Sequence, residues 1–390
     1  MSSSQRQQPP GEPVAWRPPP CGGINLYQNQ TARDPTFAQS ANHHCFTLEA
    51  YLTPDTHPST ALPYGTADLD PVPRFVDGPR RQVGCYVRGC VHELRPPTRH
   101  RGSGDTCPDH GIRCHASTDC TYSYTDPRRN FIIDAELAGE RVLGHPSKFE
   151  SHRFGLENSE DALTWNVFRS FQRAYVLHRV AQQITGLPRS DEPKLFLWGI
   201  SVSDNMFQPW DLLRRARERF ETNLPLKRPL TEPDIALWLP GVYLILIEAK
   251  FISPNPVYTD GRRTNATSLT KQELLDIYQD RELSILDQDQ ARRRPRVHYQ
   301  LWRNMVFAEW MARADAQTTR AYHANLTRRG HEAESCREFH GLVRPEFADR
   351  FAHVSWEELD ALAAGTAELA RLRKYLRTKT ARLRQAFALN

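Results

Sequence analysis

The sequence predicts a mixed α+β or α/β protein. Its core has the order αβββαβ, a mixed sheet flanked by helices, and a small cysteine-rich module precedes it. Three observations predict this. Residues 233–250 hold two apolar, β-rich runs around Pro240-Gly241, the signal of a hairpin. Residues 160–184 repeat apolar positions every three to four residues, as one face of a helix does. Five of the eight cysteines, Cys85, Cys90, Cys107, Cys114 and Cys120, crowd into residues 84–126.

Residues 1–83 are rich in Pro, Ser, Thr, Asn and Gln with weak periodicity. They read as an irregular segment dominated by loops. Residues 84–126 follow as a finger-like module. Cys85-x4-Cys90 and Cys107-x2-His110 form two close pairs separated by a spacer, the pattern that suits a tetrahedral zinc site. Cys114 and His115 compete for the fourth position. Gly84, Gly89 and Gly111 supply tight turns near the proposed ligands.

The core is read over residues 155–330. Ser159 is the expected N-cap of the first helix, with Glu160 and Asp161 in its first turn. Leu163, Val167, Phe171, Ala174 and Leu177 mark its buried face, and it stops before Gly186. Lys194–Val202 reads as the first strand. Pro209–Thr222 reads as a basic helix carrying Arg214, Arg215, Arg217 and Arg219. These arginines are either a solvated face or a phosphate contact. After the hairpin, Thr270–Asp287 and Val297–Trp310 read as helices and Arg320–Thr327 as a strand. Residues 331–390 form a C-terminal extension. Ser355 caps a helix there, and residues 365–386 continue as a basic helix.

Composition sets bounds. A chain of 390 residues can bury a sizeable core. It has no apolar run of ~18 residues, so no membrane span is expected, and its first residues lack the apolar stretch of a signal peptide. A cytoplasmic location is the expectation. Cysteines there act as metal ligands or free thiols rather than disulfides. The net charge of +5 is compatible with a nucleic-acid partner.

The hairpin carries the functional signal. Asp234 opens its first strand, and Glu248 and Lys250 close the second. Charges at the end of an apolar strand are costly unless paired, and a divalent metal would pair them. Side chains alternate faces along a strand, so register matters. A two-residue turn at 240–241 pairs Asp234 with Ile247 and sends Glu248 to the other face. A three-residue connection such as 240–242, or a bulge, is needed to set Asp234 against Glu248.

Pro233-Asp234 followed by Glu248-Ala249-Lys250 resembles the motif of the PD-(D/E)xK superfamily of restriction-endonuclease-like nucleases. The resemblance covers roughly residues 155–330. It implies that Asp234 and Glu248 hold Mg²⁺ or Mn²⁺, supported by an acid at the start of the first core helix. Glu160 is the candidate and Glu157 the alternative. It implies that Lys250 orients or helps deprotonate the attacking water. It also implies a cleft-facing polar residue on the helix after Glu-x-Lys, a place that Gln300 fits, with Arg303 as a phosphate contact. The implied function is a metal-dependent endonuclease acting on DNA, double-stranded DNA favoured, in bacterial defence or DNA repair. The zinc module would be structural or help grip the duplex. A non-catalytic nucleic-acid-binding protein of the same fold, or a ribonuclease, stays open.

Overall fold

A computed structural model describes residues 83–94 (apart from 86), 103–115, 121–141, 153–202, 208–222, 224, 230–260, 269–315, 318–381 and 384–389. The irregular segment expected over 1–83 lies almost wholly outside the described residues, as does Cys120. The chain divides into units Met1–Thr60 and Ala61–Asn390, and everything described belongs to the second.

The module comprises β1 (Val83–Gly84) and β2 (Glu93–Leu94), paired antiparallel, and β3 (Ser103–Thr106), β4 (Ile112–His115) and β5 (Thr121–Tyr124), a three-stranded antiparallel sheet. Its small core is Val87, Leu94, Ile112, Tyr122 and Tyr124 around three buried cysteines. A core this small needs a staple such as a metal.

After α1 (Ala135–Arg141) come α2 (Glu160–Arg173) and α3 (Leu177–Thr185). Ser159 caps α2 as expected, its Oγ accepting from the Ala162 N–H at 3.2 Å. The single helix expected over 160–184 is broken at Ala174–Val176, where Tyr175 adopts φ 54°. Both helices bury residues in the same core, so one apolar stripe runs through the break and periodicity does not reveal it.

The chain continues through β6 (Lys194–Leu197), β7 (Ile200–Ser201), α4 (Asp211–Phe220), β8 (Ile235–Leu239), β9 (Tyr243–Ala249) and β10 (Val257–Thr259). The expected first strand folds on itself at Trp198-Gly199, both at positive φ. Next come α5 (Lys271–Ile277), α6 (Gln288–Arg293), β11 (Arg296–His298), α7 (Tyr299–Ala314), β12 (Arg320–Thr327), α8 (Ala333–His340), β13 (Phe351–Ser355), α9 (Trp356–Ala363) and α10 (Ala370–Thr378). A last hairpin pairs β14 (Thr380–Ala381) with β15 (Arg384–Gln385).

Six strands form one mixed sheet in the order β13-β12-β9-β8-β6-β7. Strands β7, β6, β8 and β9 pair antiparallel in succession, while β9, β12 and β13 run parallel. The edge strand β13 comes from the segment read as an extension. Strand β9 is central and buried throughout, which explains its nearly unbroken apolar run. Odd-numbered β9 residues join the core beneath α2, α3 and α9, and even-numbered ones the core beneath α4 and α7. Each fully buried large side chain, such as Trp165 on one side or Trp302 on the other, contributes ~1.5–3 kcal/mol.

Two more expected helices are shorter. The helix expected over 270–287 ends at Ile277. Beyond it Tyr278 turns inward to donate to Glu221 at 2.8 Å, and the Ser284 and Ile285 N–H groups donate to the Glu309 carboxylate at 2.7 and 3.0 Å. Tertiary hydrogen bonds there replace helical ones. The basic helix expected to 386 ends at Thr378, because Lys379 is drawn inward to Glu157. Among the described residues no helix is long and apolar enough to cross a membrane.

Candidate active site and candidate metal centre

The connection between β8 and β9 is three residues long, Pro240–Val242, with Gly241 at φ 81°. Ile235 therefore pairs with Ile247, and one step further Asp234 comes level with Glu248. The alternation problem raised by the sequence is solved by turn length, without a bulge. Asp234 Oδ2 accepts from the Ala249 N–H at 2.9 Å, which fixes its carboxylate to the end of the neighbouring strand. In β12, Asn325 is paired with Glu248, and in β13, His353 with Asn325. A row of polar residues thus crosses the C-terminal end of the parallel strands.

Glu248 is 1% exposed and Lys250 7% exposed. Lys250 Nζ donates to Glu248 Oε1 at 2.6 Å. Burial pushes the Glu248 carboxyl up, but the charges of Lys250 and Arg303 outweigh it and hold the group below its ordinary range. Burial likewise opposes the Lys250 charge, and Glu248, Asp234 and Glu160 overcome that and hold its ammonium well above the usual value. The pair therefore stands ionised. Its sequence position suggested a rim residue; the structure buries Lys250 instead.

Glu160, first residue of α2, reaches the same strand end from the opposite side of the sheet. It accepts from the Phe251 N–H at 2.6 Å and from Ser253 Oγ at 2.9 Å. Burial raises its carboxyl pKa, opposed chiefly by Lys250. Glu157 turns away. It accepts from the Thr380 N–H and hydroxyl at 2.9 and 3.0 Å and pairs with Lys379 at 3.6 Å, so it serves the C-terminal segment.

Helix α7 supplies a residue that the sequence reading missed. Asn304 Nδ2 donates to Glu248 Oε2 at 2.8 Å, fully buried. Gln300, the residue expected there, lies one turn earlier and is half-buried. The i, i+4 spacing puts both on one face. The available signal was a polar residue interrupting the apolar face of that helix. Arg303, expected to meet a phosphate, is buried; it donates to the Tyr299 hydroxyl at 3.0 Å and lies over that ring. The arginines of α4 are largely engaged. Arg214 pairs with Asp211 and Glu218, Arg219 with Asp280, and Arg217 donates to the Thr231 carbonyl.

Among the described residues, the groups of three or more ligand-type side chains that close to within 4.8 Å of one another lie in the cysteine module. The trio Asp234, Glu248 and Glu160 is not among them; Asp234 accepts from the Ala249 N–H, Glu248 from Lys250 and Glu160 from the Phe251 N–H. In the module, Cys85, Cys90, Cys107 and His110 do close together. Cys90 Sγ lies 3.8 Å from Cys107 Sγ, and His110 Nδ1 lies 3.6 and 3.4 Å from Cys85 and Cys107 Sγ. A tetrahedron with metal–sulfur bonds of ~2.3 Å and metal–nitrogen bonds of ~2.0 Å has edges of about 3.8 and 3.5 Å. The four atoms thus already stand at coordination spacing. Two tight turns bring them there: the Cys90 N–H donates to the Val87 carbonyl with Gly89 at φ 81°, and the Gly111 N–H donates to the Cys107 carbonyl with Gly111 at φ 59°. The side chains of Cys114 and His115, the competing ligands, lie outside the described residues.

A family model described as Restriction Endonuclease associating with ARP matches residues 144–379, more than half of the chain. The chain belongs to this restriction endonuclease family. The matched span contains Glu160, Asp234, Glu248, Lys250 and Asn304, so the strand-end cluster is part of the family's domain. The Cys/His cluster precedes the span. No curated protein and no solved structure matches the chain.

Proposed function

We propose that this protein is a metal-dependent DNA endonuclease, hydrolysing phosphodiester bonds at the cluster Asp234, Glu248, Lys250 and Glu160. The observation that carries the reading is the hairpin register. A three-residue turn sets Asp234 level with an ionised Glu248, with Lys250 bound to it. Carboxylate oxygens at one strand end suit a hard divalent cation, and the ionised state of Glu248 suits it further. Asp234 and Glu248 would hold Mg²⁺ or Mn²⁺, with Glu160 in support; the ion, when bound, polarises the phosphodiester and acidifies a water.

The protein's own groups then have distinct tasks. Glu248 is oriented from both sides, by Lys250 on Oε1 and Asn304 on Oε2. Lys250 keeps its proton despite burial, because its three acidic neighbours favour the ammonium. That charge state favours a fixed positive charge beside the attacked phosphate over the role of base. Gln300, one turn before Asn304, is placed to meet substrate. Cys85, Cys90, Cys107 and His110 would bind a structural Zn²⁺. The substrate is double-stranded DNA, in bacterial defence or repair within the cytoplasm. The family description also names an association with ARP, and a partner of that name belongs to the proposal.

The competing reading, a nucleic-acid-binding protein that no longer cuts, draws on one observation: the three carboxylates do not close on one another. The deciding assay incubates plasmid and linear DNA, with a parallel RNA substrate, in Mg²⁺, Mn²⁺ or EDTA. DNA cleavage that needs the cation and is lost in Asp234→Asn supports the proposal. Binding in Ca²⁺ without cleavage of any substrate overturns it.

A further inference from the structure

We propose that the cysteine/histidine module positions Glu160, and that Glu157 and Lys379 are the positioning residues that transmit its hold. The proposal rests on the nuclease reading for the role of Glu160, but the mechanical path stands on geometry alone. Strand β5 does not end at the module. Its Ser123 forms an antiparallel bridge with Leu156, and the Glu157 N–H donates to the Tyr122 carbonyl at 2.9 Å. Residues 156 and 157 are thus tied to the edge of the module's sheet by one bridge and one backbone hydrogen bond. Three residues after that hydrogen bond the chain reaches Glu160, by way of Ser159, the N-cap of α2.

The same short stretch is gripped from two other sides. Asn130 Nδ2 donates to the carbonyls of Phe154 and Leu156 at 2.9 and 2.6 Å. Lys379, fully buried, donates to Asn130 Oδ1 at 3.1 Å and to the Glu157 carbonyl, and pairs with the Glu157 carboxylate at 3.6 Å. Thr380 completes the grip with both its N–H and its hydroxyl on Glu157. A buried ion pair is costly to assemble, and removing one partner is strongly destabilising. Its location, between module and catalytic helix, is what gives it a task. Tyr122 belongs to the small core that contains Cys85, Cys90 and Cys107. Losing a metal held by these residues would loosen β5, its bridge to Leu156 and the start of α2. Glu160 would then lose its fixed place against Phe251 and Ser253.

The test uses the full chain as wild type, Cys107→Ser, Glu157→Gln and Glu160→Gln, and each of the first two changes combined with Glu160→Gln. Mn²⁺ affinity is read by calorimetry, DNA affinity in Ca²⁺, and hydrogen exchange over residues 156–163. Groups that orient metal ligands typically change metal affinity ~10–100-fold when removed. Cys107→Ser and Glu157→Gln should each weaken Mn²⁺ binding ~10-fold, and neither should do so further once Glu160 is Gln. Exchange over 156–163 should rise in both. Unchanged exchange and Mn²⁺ affinity with lost DNA binding would make the module a DNA grip and overturn the proposal. If Cys107→Ser unfolds the whole chain, Glu157→Gln decides, and unaltered Mn²⁺ affinity there overturns the proposal too. If wild type binds no Mn²⁺, the nuclease reading fails, and the exchange data alone judge the coupling.

Discussion

Lys250 and Glu248 form a buried ion pair at 2.6 Å at the end of the central strand, with Asn304 on the other carboxylate oxygen. Removing one partner of such a pair leaves the other charge buried and uncompensated, which costs several kcal/mol. Lys250→Ala should therefore lower stability by about 3 kcal/mol, seen as a fall in the urea midpoint at constant slope. Replacing Glu248 by Gln in the same chain should recover most of it. Cleavage should fall at least ~100-fold in Lys250→Ala, as for the loss of a strong electrostatic donor, while DNA binding in Ca²⁺ changes far less because many contacts share that task. A variant of unchanged stability would place Lys250 outside the pair.

Asn304 should matter through Glu248. Asn304→Leu keeps bulk but removes the donor to Oε2, and Mn²⁺ affinity and cleavage should both fall ~10-fold, the lower end for residues that orient a metal ligand. Helix content should stay unchanged by circular dichroism. Wild-type Mn²⁺ affinity would show that Lys250 alone orients the carboxylate.

His323 supplies a pH signature. It is fully buried in β12, its Nδ1 2.8 Å from the Leu246 carbonyl and its ring near Phe339 and Phe351. Burial lowers its pKa from 6.5 to about 4. The folded state thus binds fewer protons than the unfolded state between these values. Its stabilising contribution is full above pH 6.5 and is lost as pH falls through 4. The size is about 3 kcal/mol from the shift. In His323→Leu the stability curve should flatten across this window, whatever the absolute level, in urea titrations from pH 7 to 4. An unchanged slope would assign the acid sensitivity elsewhere.

The module should carry one zinc per chain by elemental analysis. Cys107→Ser should release it and remove the protection of Cys85 and Cys90 against thiol reagents, since metal binding is folding energy in so small a core. Retained zinc in Cys107→Ser, lost instead in Cys114→Ser, would transfer the ligand role to the competing cysteine.

Local chemistry was legible in the sequence. Ser159 and Ser355 cap their helices as expected, the latter in a full capping box with Glu358. The strand Arg320–Thr327 has the expected bounds. The Cys85-x4-Cys90 and Cys107-x2-His110 spacing is reproduced as one cluster of four ligand atoms. Such features depend on neighbours within a few positions, and the code for them is short-ranged. The demand for an odd-length turn was also available, because side-chain alternation is a counting rule.

What only the tertiary structure decided depends on partners far along the chain. The apolar stripe of α2 and α3 reads as one helix because both helices face one core. The helix expected to 287 yields at Tyr278, where the Tyr278 hydroxyl donates to Glu221 and the Ser284 and Ile285 N–H groups donate to Glu309. Arg303, expected to contact a phosphate, and Lys250, expected to act on the attacking water, are buried, with Tyr299 and Glu248 as their partners there. Glu160 is the expected supporting acid and Glu157 the alternative; Lys379, more than two hundred residues away, claims Glu157 and leaves Glu160 to the strand end. A buried charge takes its role from whichever partner compensates its desolvation, and no spacing rule within the sequence names that partner.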